Sequence, residues 1–249
     1  MPRAFARLAA LALLALPLPS PASEAPAASS LTANLGLATQ YRYRGLMQTN
    51  NQPAVSAGVD YQHASGLYLG NWNSSISWLD DSNPDVSAPL EMDFYGGYKG
   101  TLAPGLPFDI GVLQYYYPGD YPAGYTRHDT TEVYAGLGYG PVFFKYSLSL
   151  GNLFGVAGSR HSQYFDLGVN MPLGIWDLTL NAHAGYQYVH GLANGSYWDG
   201  KLGLTKDFGQ GWTAQLAYVD TNADKRVYTN SKGRDMGRGT VILAVTRSF

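Results

Sequence analysis

The residues of this chain with chemical potential come in alternating pairs. Arg42 and Arg44 flank a tyrosine, and Glu91 and Asp93 flank a methionine. Asp60, Asp109, Glu132, Lys145, Asp166, Asp177, Asp199 and Lys201, with Lys99 and His183, recur at the polar positions of other alternating stretches. A spacing of two puts such side chains on one face of a β-strand. Charges of both signs on one face suit a hydrated, braced interior, and the mild acidic excess would favour cations if a path were open. Nucleophilic catalysis finds less support. His161 stands beside Ser162 and His183 is on the polar face, but no His-x-Ser followed by Asn-Gly occurs, so an outer-membrane lipid hydrolase is the weakest reading. His128, His161 and His190 fall in separate predicted loops, and a metal site would need them to converge. Neither a metal nor a cofactor is expected.

The elements that must carry these residues are strands. The chain has 249 residues, 30 Gly, 20 Tyr, 5 Trp and no Cys, with 14% charged residues and a formal net charge of −2. That composition favours strands and turns, excludes disulfides and thiolate metal sites, and gives no basic surface for nucleic acid. Arg3 and Arg7 followed by the Leu/Ala run Leu8 to Leu16 and a Pro/Ser/Ala stretch read as a signal peptide over residues 1–27, cleaved after Ala22 or Ala27. Residues 28–249 then form one domain. No later run is long enough for a spanning helix, so a membrane could be crossed only by a closed barrel.

Twelve alternating stretches follow, from Leu31–Arg44 to Gly239–Phe249. The connections after odd-numbered stretches are long, and those after even-numbered ones are mostly tight Gly or Pro turns. An up-and-down antiparallel transmembrane β-barrel of about twelve strands sorts its loops this way, long outside the cell and short in the periplasm. Aromatic residues gather at both strand ends. Tyr61, Tyr68, Tyr98, Phe108, Tyr139, Trp176, Phe208, Trp212 and Phe249 are predicted for one girdle, and Tyr41, Tyr43, Trp78, Tyr116, Tyr188, Trp198 and Tyr218 for the other. The third stretch fits least well. With Tyr68, Trp72 and Trp78 facing out and Asn71, Asn73 and Ser75 facing in, Leu67 and Leu69 fall on the polar side.

At several of these positions the sequence resembles the TorF family of outer-membrane proteins, also catalogued as Gcw_chp. The likeness is carried by Tyr41-Arg42-Tyr43-Arg44-Gly45, Gln52-Pro53-Ala54, Gly66-Leu67-Tyr68-Leu69-Gly70-Asn71-Trp72, Tyr115-Tyr116-Tyr117-Pro118-Gly119 and Glu132 with Tyr134. It implies a barrel regarded as a porin and supplies no substrate or catalytic residue.

The expectation is a porin of the bacterial outer membrane that passes small hydrophilic solutes or ions. Arg42, Arg44, Asp60, Glu91, Asp93, Asp109, Glu132, Lys145, Asp166, His183, Asp199 and Lys201 would line its pore. A barrel with a closed lumen acting in surface binding or adhesion is the alternative. Its partners would be outer-membrane lipid and lipopolysaccharide, the assembly machinery reading the C-terminal strand ending in Phe249, and the solute itself. Association with further copies of the chain is left open.

Overall fold

A computed structural model describes residues 28–249; the signal peptide expected over residues 1–27 lies outside the described residues. Twelve strands close into a barrel in which every neighbouring pair is antiparallel. They are β1 (Ser30–Ala38), β4 (Ala54–Gln62), β5 (Leu67–Ser75), β6 (Leu90–Ala103), β7 (Leu106–Tyr116), β8 (Thr130–Tyr139), β9 (Val142–Ser149), β10 (Gln163–Pro172), β11 (Leu178–Tyr188), β12 (Tyr197–Gly209), β13 (Trp212–Thr221) and β14 (Thr240–Ser248). A small separate hairpin, β2 (Arg42–Tyr43) and β3 (Leu46–Met47), lies between β1 and β4. The seam is β1 against β14, where Leu37 faces Val245 and the backbone N–H of Phe249 donates to the carbonyl of Ala33 at 2.9 Å. Closure leaves no strand edge unpaired.

The loops sort by end. Long loops L1 (39–53), L2 (76–89), L3 (117–129), L4 (150–162), L5 (189–196) and L6 (222–239) crowd one rim, and the turns at 63–66, 104–105, 140–141, 173–177 and 210–211 form the other. L2 carries the single-turn helix α1 (Trp78–Ser82).

Alternation sets the two faces. Leu35, Leu37, Val55, Val59, Leu167, Leu202, Leu216, Val241, Leu243 and Val245 are exposed on the outer wall, while Glu91, Asp93, Asp109, Glu132 and Asp199 are buried within. This apolar-out, polar-in arrangement is inverted relative to a soluble protein and is the pattern of a transmembrane barrel. Tyr61, Tyr98, Tyr139, Trp176, Phe208, Trp212 and Phe249 are exposed toward the short-turn rim, and Tyr116, Tyr188, Trp198 and Tyr218 toward the long-loop rim.

Inside, aromatic rings lean over glycines of the neighbouring strand. A Cβ at Gly185 would stand 2.1 Å from the Tyr164 hydroxyl, and one at Gly168 2.1 Å from the Phe143 ring. Both glycines therefore serve close approach, and the high Gly and Tyr content has a packing cause.

Four expectations are corrected. First, β1 ends at Ala38 instead of running to Arg44, so Arg42 and Arg44 are not on a strand of the barrel wall, and Tyr41 and Tyr43 leave the girdle for the interior. The cause is the Arg44-Gly45 pair, both at positive φ (45° and 78°), which turns the chain back on itself.

Second, β5 faces the other way. Tyr68 is buried and its hydroxyl donates to Asp109 at 2.6 Å, whereas Leu67 and Leu69 are 57% and 67% exposed on the outer wall. The strand stops at Ser75, and Trp78 belongs to α1, packed edge-on against Tyr117. A one-position shift moves every side chain to the opposite face. The hydroxyl of Tyr68 decides for the interior because it finds partners there.

Third, Lys99 to Pro107 is not all connector. β6 runs to Ala103 and β7 starts at Leu106, with a register shift between Thr101 and Ala103 beside the turn. Fourth, β11 begins at Leu178. Trp176 and Asp177 form a positive-φ turn, and Asp177 points to solvent, where it pairs with Lys206 at 3.0 Å.

Candidate functional site: a hairpin across the barrel interior

The polar interior is organised around the β2–β3 hairpin of L1. Its turn residues at positive φ place Arg44 at the tip, a strained conformation for a residue with a Cβ. Gly45 beside it has no room for a side chain, since a Cβ would stand 2.8 Å from the Cβ of Asp199 on β12. The hairpin thus starts at β1, crosses the interior and rests its tip on the far wall.

Arg44 donates through Nη2 to Glu132 Oε2 of β8 at 2.7 Å and through Nη1 to Gln187 Oε1 of β11 at 2.7 Å. Its guanidinium also lies 4.2 Å from the centre of the Tyr164 ring on β10. The ion pair is nearly sealed, with the side chains of Arg44 and Glu132 7% and 2% exposed. A buried pair of this kind persists only because hydrogen bonds and ring faces replace the lost water.

Beside it, Tyr43 shares a 2.6 Å hydroxyl contact with Tyr115, and Phe154 of L4 packs edge-on against both rings. Tyr41 donates to Glu91 Oε1, and Tyr117 donates to the second carboxylate oxygen at 2.8 Å. One oxygen of Asp93, Oδ1, is buried and has no hydrogen-bond partner.

The hairpin base is fixed by Arg42. Its guanidinium donates to the Met236 carbonyl at 2.6 Å, to Gln40 Oε1 at 2.9 Å and to Asn51 Oδ1 at 3.0 Å. L6 lies above through Met47 N–H to Met236 O at 2.9 Å. L2 joins through Ser77 and Trp78 N–H, both donating to the Gln48 carbonyl, and Lys232 of L6 pairs with Asp81 of α1. L1, L2 and L6 form one bonded cap at the long-loop rim.

Toward the short-turn rim the interior is a second polar layer. His183 Nδ1 lies 2.9 Å from Asp166 and its Nε2 3.4 Å from Asp199, and Tyr164 donates to Asp199 at 3.1 Å. Tyr95 donates to Asp60 at 2.6 Å, and Lys145 stands 3.9 Å from the Tyr134 ring centre. Lys201 faces inward beside His183 across the β11–β12 pair. Of the twelve residues expected to line a pore, ten face the interior from strands of the wall and Arg44 reaches it from the hairpin tip, while Arg42 instead holds the hairpin base to L1 and L6. Gln187, Tyr164, Tyr115 and Tyr117 complete the constellation. None carries a formal charge; their signal in the sequence was an inward position on an alternating stretch and, for Tyr115 and Tyr117, a place in the segment that carries the family likeness.

Ser162 is buried in L4, where its Oγ donates to the Ser159 carbonyl at 2.6 Å and accepts from the His190 N–H at 3.0 Å, so its polar contacts are to backbone. His128 packs against Trp78 and Tyr125, away from the other two loop histidines. Among the described residues no three His, Asp or Glu side chains converge as metal ligands would.

The family comparison covers nearly all of this architecture: residues 22–249 match the profile described as a bacterial protein of unknown function, Gcw_chp. The chain belongs to the Gcw_chp family. No curated protein matches it. Among solved structures, this Gcw_chp protein is similar in fold to a KdgM porin in complex with disordered oligogalacturonate, with a TM-score of 0.55 at 9% identity over 89% of this chain and 99% of that one. It is also similar to the COG4313 outer membrane channel from Pseudomonas putida F1, with a TM-score of 0.50 at 13% identity over 94% and 100% of the two chains. Identities this low speak to fold alone. The Gcw_chp barrel is porin-like in architecture, and the neighbours named are channels and not enzymes.

Proposed function

We propose that this protein is an outer-membrane porin that lets small hydrophilic solutes or ions diffuse passively, and that the L1 hairpin narrows its path. The observation that carries the reading is a charged interior wrapped in a largely apolar wall, with an ion-paired hairpin across it. A protein that only needed a wall would gain stability from a packed apolar core, because buried charges are costly to keep. Equating this family with the TorF porins belongs to the same reading.

The preference proposed is for cations. Asp60, Glu91, Asp93, Asp109, Glu132, Asp166 and Asp199 outnumber Arg42, Arg44, Lys99, Lys145 and Lys201 on the inner face. Oligogalacturonate, which the KdgM porin was captured with, is a polyanion, and an acidic interior disfavours such a solute. Outer-membrane lipid and lipopolysaccharide would surround the wall, and the C-terminal strand ending in Phe249 would be read by the assembly machinery.

A second reading has its own observation. L1, L2 and L6 are bonded into one cap at the long-loop rim, as they would be in a barrel whose exposed loops bind a surface partner. Conductance of the purified protein in planar bilayers, with reversal potentials in a salt gradient, separates the two. Discrete cation-preferring steps, with the preference reduced by Asp93→Asn, are expected. A barrel that inserts and never conducts would refute the porin reading and leave the binding one.

A further inference from the structure

The reversed face of β5 puts polar side chains where the rest of the wall is apolar. Asn71 is the central residue of a nine-residue strand and faces outward, cross-strand from Val59 on β4 and Phe94 on β6, both exposed. Asn73 follows on the same face, opposite Ala57 and Met92, and Ser75 opposite Leu90. The row continues across Phe94 to Gln114 on β7 and Thr131 on β8. Elsewhere the mid-strand outward positions are aliphatic, aromatic, Ala or Gly, as in Leu180, Ala182 and Ala184 of β11 or Val241, Leu243 and Val245 of β14.

These amides use only part of their bonding capacity within the barrel. Asn73 Nδ2 donates to Asn71 Oδ1 at 2.6 Å, Asn71 Nδ2 donates to the Asp93 carbonyl at 3.0 Å, and Gln114 Nε2 donates to the Tyr115 carbonyl at 2.7 Å. Thr131 Oγ1 donates to Gln114 Oε1 at 2.5 Å. Each carboxamide can donate twice and accept twice; Asn73 also donates to the Ala57 carbonyl at 3.4 Å, so the unused capacity is one N–H and one acceptor site on each of Asn71 and Gln114. Hydrocarbon offers no partner for the remainder. Ala57, opposite Asn73, is a small neighbour of the polar pair, the combination of small and polar residues by which membrane proteins pack together.

We infer that this face, centred on Asn71 and Asn73, is a contact between two copies of this chain. The patch is uncharged and carries donors and acceptors in equal kind, so it is complementary to itself across a two-fold axis. A lipid chain would satisfy none of these groups. The inference needs the wall to be lipid-facing but does not need the barrel to conduct.

The chain has no cysteine, so Asn73→Cys can be oxidised in isolated outer membranes without background. A disulfide-linked dimer is expected from Asn73→Cys and none from Leu243→Cys on β14. In mild detergent the wild type should have twice the monomer mass, and Asn71→Leu/Asn73→Leu should run as a monomer while keeping its heat-modifiable, folded mobility. A wild-type barrel that is monomeric in detergent and no better cross-linked through residue 73 than through residue 243 would overturn the contact alone. Absence of the protein from the outer-membrane fraction would overturn the lipid-facing wall and the contact with it. Should the double variant fail to fold, the cross-linking comparison still decides.

Discussion

Removing the Arg44 side chain should release the hairpin. Arg44→Ala deletes both 2.7 Å hydrogen bonds at the tip and leaves Glu132, 2% exposed, without its counter-charge. Breaking one side of a buried pair costs about 3–5 kcal/mol, because the surviving charge stays desolvated. That penalty applies while the hairpin covers Glu132 and falls away when water reaches the carboxylate. The ratio of displaced to seated hairpin should therefore rise by roughly 10²-fold to several thousand-fold. Planar-bilayer recordings should show Arg44→Ala with longer open times or larger steps than wild type, and liposome swelling should accelerate. Arg44→Ala/Glu132→Ala removes both charges, so it should lie much closer to wild type than the sum of the single changes. Equal conductance for wild type and Arg44→Ala, or strictly additive single and double effects, would refute the assignment of this pair as the latch.

Other outcomes follow from the same geometry. Gly185→Val would force the Tyr164 hydroxyl, 2.1 Å from the added Cβ, off Asp199; a loss of about 1–3 kcal/mol is expected, read as a lower temperature for the heat-modifiable gel shift. Deleting Phe249 removes a backbone bond at the β1–β14 seam and an exposed aromatic anchor, and the folded fraction in outer membranes should drop. Burial in L3 pushes the His128 imidazole below its ordinary value near 6.5, against the opposing pull of Asp129. Its contribution to loop packing is therefore present above that value and lost as pH falls below it. The protection of amides across residues 117–129, taken relative to the intrinsic exchange rate at each pH, should fall between pH 7.5 and 5 in the wild type, and His128→Phe should flatten that dependence.

Much of this protein could be read from residue types alone. Period-two alternation over strands such as β11 and β14 requires two chemically opposite faces, and the alternation of long and short connections requires hairpins joined in one direction around a ring. Together these determine a barrel, its approximate strand number and the identity of its inward charges, because side-chain direction in a strand depends only on parity. Parity itself was ambiguous at β5, where Leu67 and Leu69 compete with Tyr68 and Trp72 for the outer wall. Both sets are apolar enough for lipid, and the choice rests on hydroxyl partners, Asp109 and Tyr134, that come from strands distant in the chain. The hairpin was hidden for a related reason: Tyr41-Arg42-Tyr43-Arg44 alternates as well as any strand, and only closure of the barrel brings Glu132, Gln187 and Tyr164 to the place where Arg44 can be buried. The sequence by itself determined the wall and its two faces, since these follow from local periodicity. Tertiary structure alone decided what crosses the interior and which face β5 turns to the outside, since those depend on partners contributed by other strands.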